Sequence, residues 1–220
     1  MKKILVIAPH PDDEILGCGG TLLKHKLQDK DQIYCVYVTN LKKNNKYFKK
    51  RNNQIKEVCK KINFNDYFIG KFYPTKLNEK NLSSIIEFLK KIILKIKPNT
   101  IYAPFEHDIH TDHKIVFDAS KSFIKSFRYN FIKNFYIYET LSETNFTEGF
   151  AKENFKPNLF VDISKFMNKK INLANIYESE LKKHPFPRSS EAIKSLATLR
   201  GSFSNHKFAE SFMILKQIKE

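Results

Sequence analysis

The stretch ILVIAPHPDDEILGCGGTLLKHKLQ, residues 4–28, passes from a short apolar run through a charged loop into a segment with helical periodicity. The apolar run at 3–8 has the length and the β-branched content of a buried strand. An apolar stripe at helical spacing follows over 15–28. One histidine and three consecutive acids therefore stand where a buried strand ends and a helix begins.

This alternation of strand and helix patterns repeats along the first half of the chain. Apolar, β-branched runs predict strands at 3–8, 33–39, 67–69 and 100–103. Helix-length segments with an apolar stripe follow at 15–28, 49–62, 79–96 and 113–127. This order predicts βαβ units and an α/β fold, in which a mostly parallel sheet carries helices on both faces.

The second half is less regular. NFYIYET at 134–140 and NLFVDIS at 158–164 predict two more strands, and helices are predicted from about 165 to 183 and over 189–200. Between those helices HPFPR, residues 184–188, carries two prolines that must interrupt the helical pattern. Because 220 residues suit one core and no linker divides the chain, we expect a single domain over 1–220.

Composition excludes several classes of protein. An apolar fraction of 41% is typical of a globular protein rather than a disordered one. The apolar run at 4–8 is too short for a signal peptide, and no segment approaches the roughly 20 apolar residues of a membrane span, which favours a cytoplasmic protein. Cys18, Cys35 and Cys59 are odd in number and lack a CxxC spacing, so neither a disulfide framework nor a thiolate zinc site is expected.

The formal net charge of +16 is compatible with a polyanionic partner. Lysines nevertheless occur along the whole chain, and the densest patch, KKNNKYFKKR at 42–51, is typical of a solvated loop or helix end. We therefore do not expect nucleic acid as the main partner. A basic module that binds nucleic acid or anionic lipid is kept as an alternative to an enzyme.

Two loops carry the residues with chemistry, and both follow predicted strands. The first runs from His10 to Glu14, and the second is HDIHTDH at 107–113. In a doubly wound sheet ligands bind at the carboxyl ends of the strands, so the tips of these loops can meet. His10 and Asp13 flank a turn stiffened by Pro11, and a histidine of the second loop would complete a set of three zinc ligands.

The remaining residues of the first loop suit other roles. Asp12 is adjacent to a ligand and is available as the base that a zinc-bound water needs within hydrogen-bond reach. Glu14 opens the next helix, where a carboxylate stabilises the helix end. Gly17, Gly19 and Gly20 lack the spacing of a dinucleotide site, and we expect them to allow close helix packing. Two histidines and one carboxylate also describe the facial triad of non-haem iron oxygenases, which is a second alternative.

Three motifs together resemble those of the PIG-L/LmbE-like zinc-dependent N-deacetylases: PHPDDE after the first strand, GCGGT entering the next helix, and HTDH at 110–113. Further matches are Arg51, the A-x-x-Y-x-S pattern from Ala174 to Ser179, and RG followed by AESF within 200–212. The resemblance runs along nearly the whole chain. It implies a Rossmann-like three-layer fold, with a mostly parallel sheet flanked by helices.

The resemblance also implies a reaction: hydrolysis of the N-acetyl group of an amino-sugar conjugate, with release of acetate and a free amine. Transferred residue by residue, it makes His10, Asp13 and His113 the ligands of Zn²⁺. Asp12 becomes the general base that takes a proton from the attacking water.

Further residues receive roles in the same way. His110 would face the reacting carbonyl as a charged hydrogen-bond donor or acid, and Asp112 would orient a histidine. Arg51 falls where the family uses an arginine to hold sugar hydroxyls. The chain departs from the family at Gln54 and Glu180, where a glutamate and a glutamine are often found, and both departures concern substrate contacts.

The implied partner is a small N-acetylated amino-sugar conjugate, with a nucleotide-linked sugar among the candidates and surface-glycan or nucleotide-sugar metabolism as its setting. Neither nucleic acid nor an integral membrane segment is expected, and a homo-oligomer is left open. HPFPR at 184–188 forms either one wall of the pocket for the rest of the conjugate or a rigid turn between two helices.

Overall fold

A computed structural model describes residues 1–147, 149 and 154–219. The strands are β1 (Lys3–Ala8), β2 (Gln32–Thr39), β3 (Asp66–Phe72), β4 (Thr100–Pro104), β5 (Asn134–Tyr138), β6 (Leu159–Asp162) and β7 (Ala209–Gln217). The helices are α1 (Asp13–Leu27), α2 (Phe48–Ile62), α3 (Glu79–Ile96), α4 (Thr111–Lys121), α5 (Met167–Ala174) and α6 (Ser190–Ser202). No helix in this part of the chain is both long and apolar enough to cross a bilayer.

All of these strands join one sheet of seven strands, in the order β3-β2-β1-β4-β5-β7-β6. Strands β1 to β5 pair in parallel, whereas β7 runs antiparallel to both β5 and β6. The mostly parallel sheet predicted from the sequence is therefore confirmed. Its antiparallel edge was not predicted.

Alternating residues of β1 explain why helices cover both faces. Ile4 and Val6 face the layer that contains α1, α2, α5 and α6, whereas Leu5 and Ile7 face the layer of α3 and α4. Because successive side chains of a strand point to opposite faces, a continuous apolar run such as β1 is buried on both sides. The three-layer α/β fold implied by the resemblance is confirmed.

Two predicted helices are shorter in the structure, and one strand was not predicted. The helix predicted over 165–183 ends at Ala174, and the one predicted over 113–127 ends at Lys121. Strand β7 was missed because charged residues interrupt its apolar pattern. One of them, Glu210, is buried in an ion pair with Lys170, with 2.6 Å between its Oε1 and the lysine Nζ.

The position of β1 decides where a site can form. The chain continues from β1 to β2 on one side, and β4 lies on the other side, so β1 and β4 flank the point where the strand order reverses. In open α/β sheets, ligands bind at the carboxyl ends of the strands beside such a point. The loops after β1 and β4 are the two loops that the sequence marks as carrying chemistry.

Close contacts explain two glycines of α1. A Cβ on Gly17 would lie 2.3 Å from Cδ2 of Tyr138, and one on Gly20 would lie 2.7 Å from Cγ2 of Ile163. The Tyr138 ring is held in place because its hydroxyl donates a hydrogen bond to the Ile7 carbonyl at 2.9 Å. The close packing expected of these glycines is therefore present.

We expect Gly17→Ala to destabilise the protein by about 1–3 kcal/mol, because the added methyl overpacks a fixed aromatic ring. Chemical denaturation would measure this loss as the change in the free energy of unfolding. Gly149→Ala is the matched control, because its Cβ would have no atom of the described residues within 4 Å. Equal stability of the two variants would contradict the contact with Tyr138.

Candidate active site and metal centre

The loop after β1 buries three consecutive carboxylates: Asp12 is 3% exposed, and Asp13 and Glu14 are 0% exposed. Asp12 has a φ of 132°, in a region that non-glycine residues rarely adopt. Its backbone N–H donates to Oε2 of Glu14 at 3.0 Å, which holds this conformation in place. Residues held in such backbone conformations cluster at functional sites.

The loop after β4 supplies the other side. His110 caps α4, and its Nδ1 accepts a hydrogen bond from the Asp112 N–H at 3.1 Å. His113 follows in the first turn of α4 and is fully buried. A cap that fixes the start of this helix therefore also fixes both histidines.

Two histidines from these loops converge on the carboxylate of Asp13. Its Oδ2 lies 3.3 Å from His10 Nδ1 and 3.3 Å from His113 Nε2. Asp13 Oδ1 and His113 Nε2 are both buried, and neither has a hydrogen-bond partner among the described residues. Two imidazole nitrogens and one carboxylate are the usual protein ligands of a catalytic zinc. The trio fits a divalent metal ion, which would satisfy both buried atoms.

Carboxylates behind the two histidines orient their rings. Asp112 Oδ2 lies 2.9 Å from His10 Nε2, and Asp108 Oδ2 lies 2.7 Å from His113 Nδ1. These contacts leave Nδ1 of His10 and Nε2 of His113 to face the metal position. Asp108 was not singled out from the sequence, although it stands in the same HDIHTDH loop.

The charged groups around the proposed metal position shift the pKa values of Asp13 and His10. Burial alone would raise the pKa of Asp13, but the charge of His113 and a hydrogen bond with His10 hold it well below its ordinary value. Burial would lower the pKa of His10, yet the bonds to Asp112 and Asp13 raise it to about 9. The site therefore keeps Asp13 ionised, which is the form that binds a cation.

Asp12 lies in a different environment from Asp13. Burial and the neighbouring Asp13 charge raise the pKa of Asp12 to about 8, and the nearby charge of Arg188 opposes this rise. Arg188 Nη1 donates to Asp12 Oδ2 at 2.9 Å. Arg188 belongs to HPFPR, so this segment reaches the candidate base rather than serving only as a turn.

Glu14 has a larger role than the helix-end stabilisation predicted from the sequence. Its Oε1 accepts hydrogen bonds from the hydroxyls of Tyr37 at 3.0 Å and Tyr177 at 2.7 Å. Burial raises its pKa to about 7. Glu14 thereby ties the loop after β1 to β2 and to the segment after α5. The tyrosines could not be assigned to it before the fold was known.

His110 lies beside His10 and His113, and its role as a donor to the reacting carbonyl stays a prediction. Burial and the charges of His10 and His113 lower its pKa to about 4. Because its Nδ1 accepts the Asp112 N–H, the proton of the neutral ring is on Nε2. His110 can therefore donate a hydrogen bond while it is uncharged.

A cavity of about 330 Å³ opens beside these loops. It is lined by His10, Pro11, Asp12, Thr39, Asn40, Leu41, Arg51, Pro74, His110, Glu180 and Arg188. Arg51 donates to the Pro11 carbonyl at 3.0 Å and forms an ion pair with Glu180. The structure gives contacts for the two residues at which the chain departs from the family. Glu180 neutralises Arg51 at the cavity. Gln54 donates a hydrogen bond to the Ile176 carbonyl at 2.8 Å.

Comparisons with known proteins identify the family of the chain. The PIG-L family model, described as GlcNAc-PI de-N-acetylase, matches residues 5–124. A diacetylchitobiose deacetylase of Thermococcus kodakarensis is 25% identical over 238 aligned residues, which cover 99% of this chain and 85% of that protein. A probable N-acetyl-alpha-D-glucosaminyl L-malate deacetylase 2 of Bacillus subtilis is 26% identical over 123 residues, or 51% of this chain and 56% of that protein.

Among solved structures, an N,N'-diacetylchitobiose deacetylase from Pyrococcus horikoshii superposes with a TM-score of 0.78 and 21% identity, covering 98% of this chain and 84% of that one. At 21% identity this structural similarity supports the fold and not the activity. The family model covers more than half of the chain and spans both loops of the candidate site. The chain therefore belongs to the PIG-L family of N-deacetylases, as its motifs imply.

Proposed function

We propose that the protein is a zinc-dependent hydrolase that removes the N-acetyl group from an amino-sugar conjugate. The observation that carries this proposal is the trio of His10 and the buried Asp13 and His113, in which two ligand atoms have no hydrogen-bond partner among the described residues, beside a cavity that Asp12 also lines. The cavity is large enough for a sugar ring, since small-molecule pockets begin at about 300 Å³.

Asp12 and His110 have different tasks in the proposed reaction. Bound zinc would supply a Lewis acid that polarises the acetamide carbonyl and lowers the pKa of a water. Asp12 takes a proton from the attacking water, as the new C–O bond forms at the carbonyl carbon. His110 donates its Nε2–H to the carbonyl oxygen, on which negative charge develops.

Collapse of the tetrahedral adduct breaks the C–N bond and leaves an amine and acetic acid, which loses its remaining proton to solvent as acetate. The amine nitrogen needs one proton, and Asp12 carries the proton that it took from water. His110 is a poorer source, because its Nδ1 accepts the Asp112 N–H and its ring is neutral. We therefore assign proton delivery to Asp12 and charge stabilisation to His110.

The residues near the cavity favour a narrower substrate class than N-acetylated amino sugars in general. Leu41 and Pro74 line the cavity, and beside them the Nζ of Lys42 lies 5.0 Å from the centroid of the exposed Tyr73 ring. Because Lys42 and Tyr73 adjoin Leu41 and Pro74 in sequence, we infer that they lie at the cavity mouth, where a cation and an aromatic face suit a conjugate that carries phosphate and a flat ring. These contacts support a nucleotide-linked N-acetyl amino sugar as the substrate.

The two alternatives are not favoured. An iron oxygenase has no need of the acid Asp12 beside its ligands, and family membership supports hydrolysis instead. A purely basic binding module would leave the buried metal trio and its supporting carboxylates without a role. Whether the chain assembles into a homo-oligomer stays a prediction that needs a separate measurement of mass in solution.

We expect the purified protein to retain zinc, and His113→Ala to lose it, because the variant lacks one of three ligands. Metal analysis of dialysed protein would measure the zinc-to-protein ratio. His206→Ala is the control, because His206 is exposed and remote from the trio. Chelation should abolish acetate release and added zinc should restore it. Full zinc retention by His113→Ala would contradict the proposed ligand set.

Asp12→Asn should lower kcat by roughly a hundred- to ten-thousandfold while zinc content stays unchanged, because the amide cannot accept the proton from water. Acetate release under saturating substrate would measure the effect. Asp66→Asn removes an exposed acid from the edge strand β3 and should leave kcat unchanged. Turnover of Asp12→Asn close to wild type would exclude Asp12 as the base.

A substrate panel tests the role of the cavity mouth. A nucleotide-linked N-acetylglucosamine should have a kcat/KM about tenfold above that of neutral diacetylchitobiose, and this preference should shrink with added salt. Lys42→Gln should reduce the preference, whereas Lys91→Gln on the exposed face of α3 should not. Equal rates for both substrates at every salt concentration would exclude a phosphate-bearing conjugate, yet leave N-deacetylation intact.

A further inference from the structure

Arg188 reaches the cavity from the segment between α5 and α6 and uses three donors on three partners. Its Nη1 lies 2.9 Å from Asp12 Oδ2, its Nη2 lies 2.5 Å from Glu143 Oε1, and its Nε lies 2.6 Å from Ser142 Oγ. The side chain is 16% exposed. A guanidinium held by three partners is a fixed part of the site rather than a mobile surface group.

This arrangement makes the two oxygens of Asp12 unequal. Among the described residues, the side-chain hydrogen bond of Asp12 goes through Oδ2 to Arg188. An oxygen that accepts from a permanently charged guanidinium is a poor proton acceptor, which leaves Oδ1 for the water. The positive charge of the guanidinium also offsets the repulsion between the adjacent carboxylates of Asp12 and Asp13.

We propose that Arg188 is a positioning residue of the deacetylation reaction: it holds Asp12 by Oδ2, so that Oδ1 is the atom that takes the proton from water. The proposal rests on the proposed function, because it assigns a role to Arg188 through the base Asp12. The motifs that carry the family resemblance do not include Arg188.

The turn after β5 holds Arg188 and one metal ligand at once. Glu143 and Ser142 bind the guanidinium, while the next residue, Thr144, donates its hydroxyl to Asp108 Oδ1 at 2.5 Å. Asp108 in turn binds His113. One short turn therefore sets the position of the base and the orientation of a metal-binding histidine relative to each other.

A positioning role makes a kinetic prediction that a substrate-binding role does not. Arg188→Ala should lower kcat by about a hundredfold with KM changed less than about threefold, since misplacing a reacting group by about 1 Å has an effect of this size. Arg188→Lys should recover part of the loss, and added guanidinium ion should partly rescue Arg188→Ala. Zinc content should not change in either variant.

Arg128→Ala is the matched control, because it removes an arginine that is exposed and lies over the Phe127 ring. It should keep wild-type kcat and gain nothing from guanidinium. A raised KM with full kcat in Arg188→Ala would overturn the proposal in favour of substrate binding. Loss of kcat without rescue by guanidinium or by Arg188→Lys would also overturn it, in favour of a structural role.

A second measurement does not depend on turnover. Thermal unfolding of the zinc-loaded Arg188→Met, Asp12→Asn and double variants forms a cycle that reports whether the two side chains interact. The Tm loss of the double variant should be smaller than the sum of the single losses, and additive losses would overturn the contact. Absence of deacetylation by the wild-type protein would instead contradict the proposed function, and the Tm cycle would still decide whether Arg188 holds Asp12.

Discussion

The burial of three consecutive carboxylates at the end of the central strand is the constraint on which the site depends. A buried charge is costly unless it is paired or hydrogen-bonded, and removing the partner of a buried ion typically costs about 3–5 kcal/mol. Each acid of the loop meets this cost with a different partner. Asp13 faces two histidines, Asp12 faces Arg188, and Glu14 accepts hydroxyls of two tyrosines. The partners come from four parts of the chain, so folding and assembly of the site are one process.

The order of the strands explains why these partners can meet. Because β4 pairs directly with β1, the loop that carries His110 and His113 lies beside the loop of acids. The turn after β5, the next strand along the sheet, then reaches both Arg188 and Asp108. The histidines thus follow β4, the neighbour of β1, and the turn that contacts Arg188 and Asp108 follows β5, the neighbour of β4. Neighbouring strand ends set the geometry of the metal position, whereas the base also depends on Arg188 of the connection between α5 and α6.

Periodicity predicted the local elements well and the long-range partners poorly. The helix predicted over 79–96 is observed over the same residues, because its apolar stripe is regular and both ends carry clear signals. Strand β7 was not predicted, because an acid such as Glu210 is not expected in a buried strand. Its partner Lys170 is distant in sequence and is known only from the fold. The contact between Asp12 and Arg188 spans 176 residues of sequence, and no local pattern encodes it. The two loops were visible because each carries its histidines and acids within a few adjacent positions.

The residues proposed for the reaction and those proposed for substrate recognition have different surroundings. Residues that would move protons or hold the metal are buried and braced by carboxylates, backbone groups or tyrosines, so substitutions there disturb several partners together. The inferred mouth, by contrast, consists of Leu41 and Pro74 of the lining together with Lys42, the exposed sequence neighbour of Leu41, and it lies in the connections after β2 and β3. Glu180 already neutralises Arg51 within the wall, so this arginine offers hydrogen bonds more than net positive charge. Under the proposed function, attraction of an anionic conjugate is assigned to Lys42. The conjugate can then differ between related proteins through loop residues alone, with the hydrolytic centre unchanged.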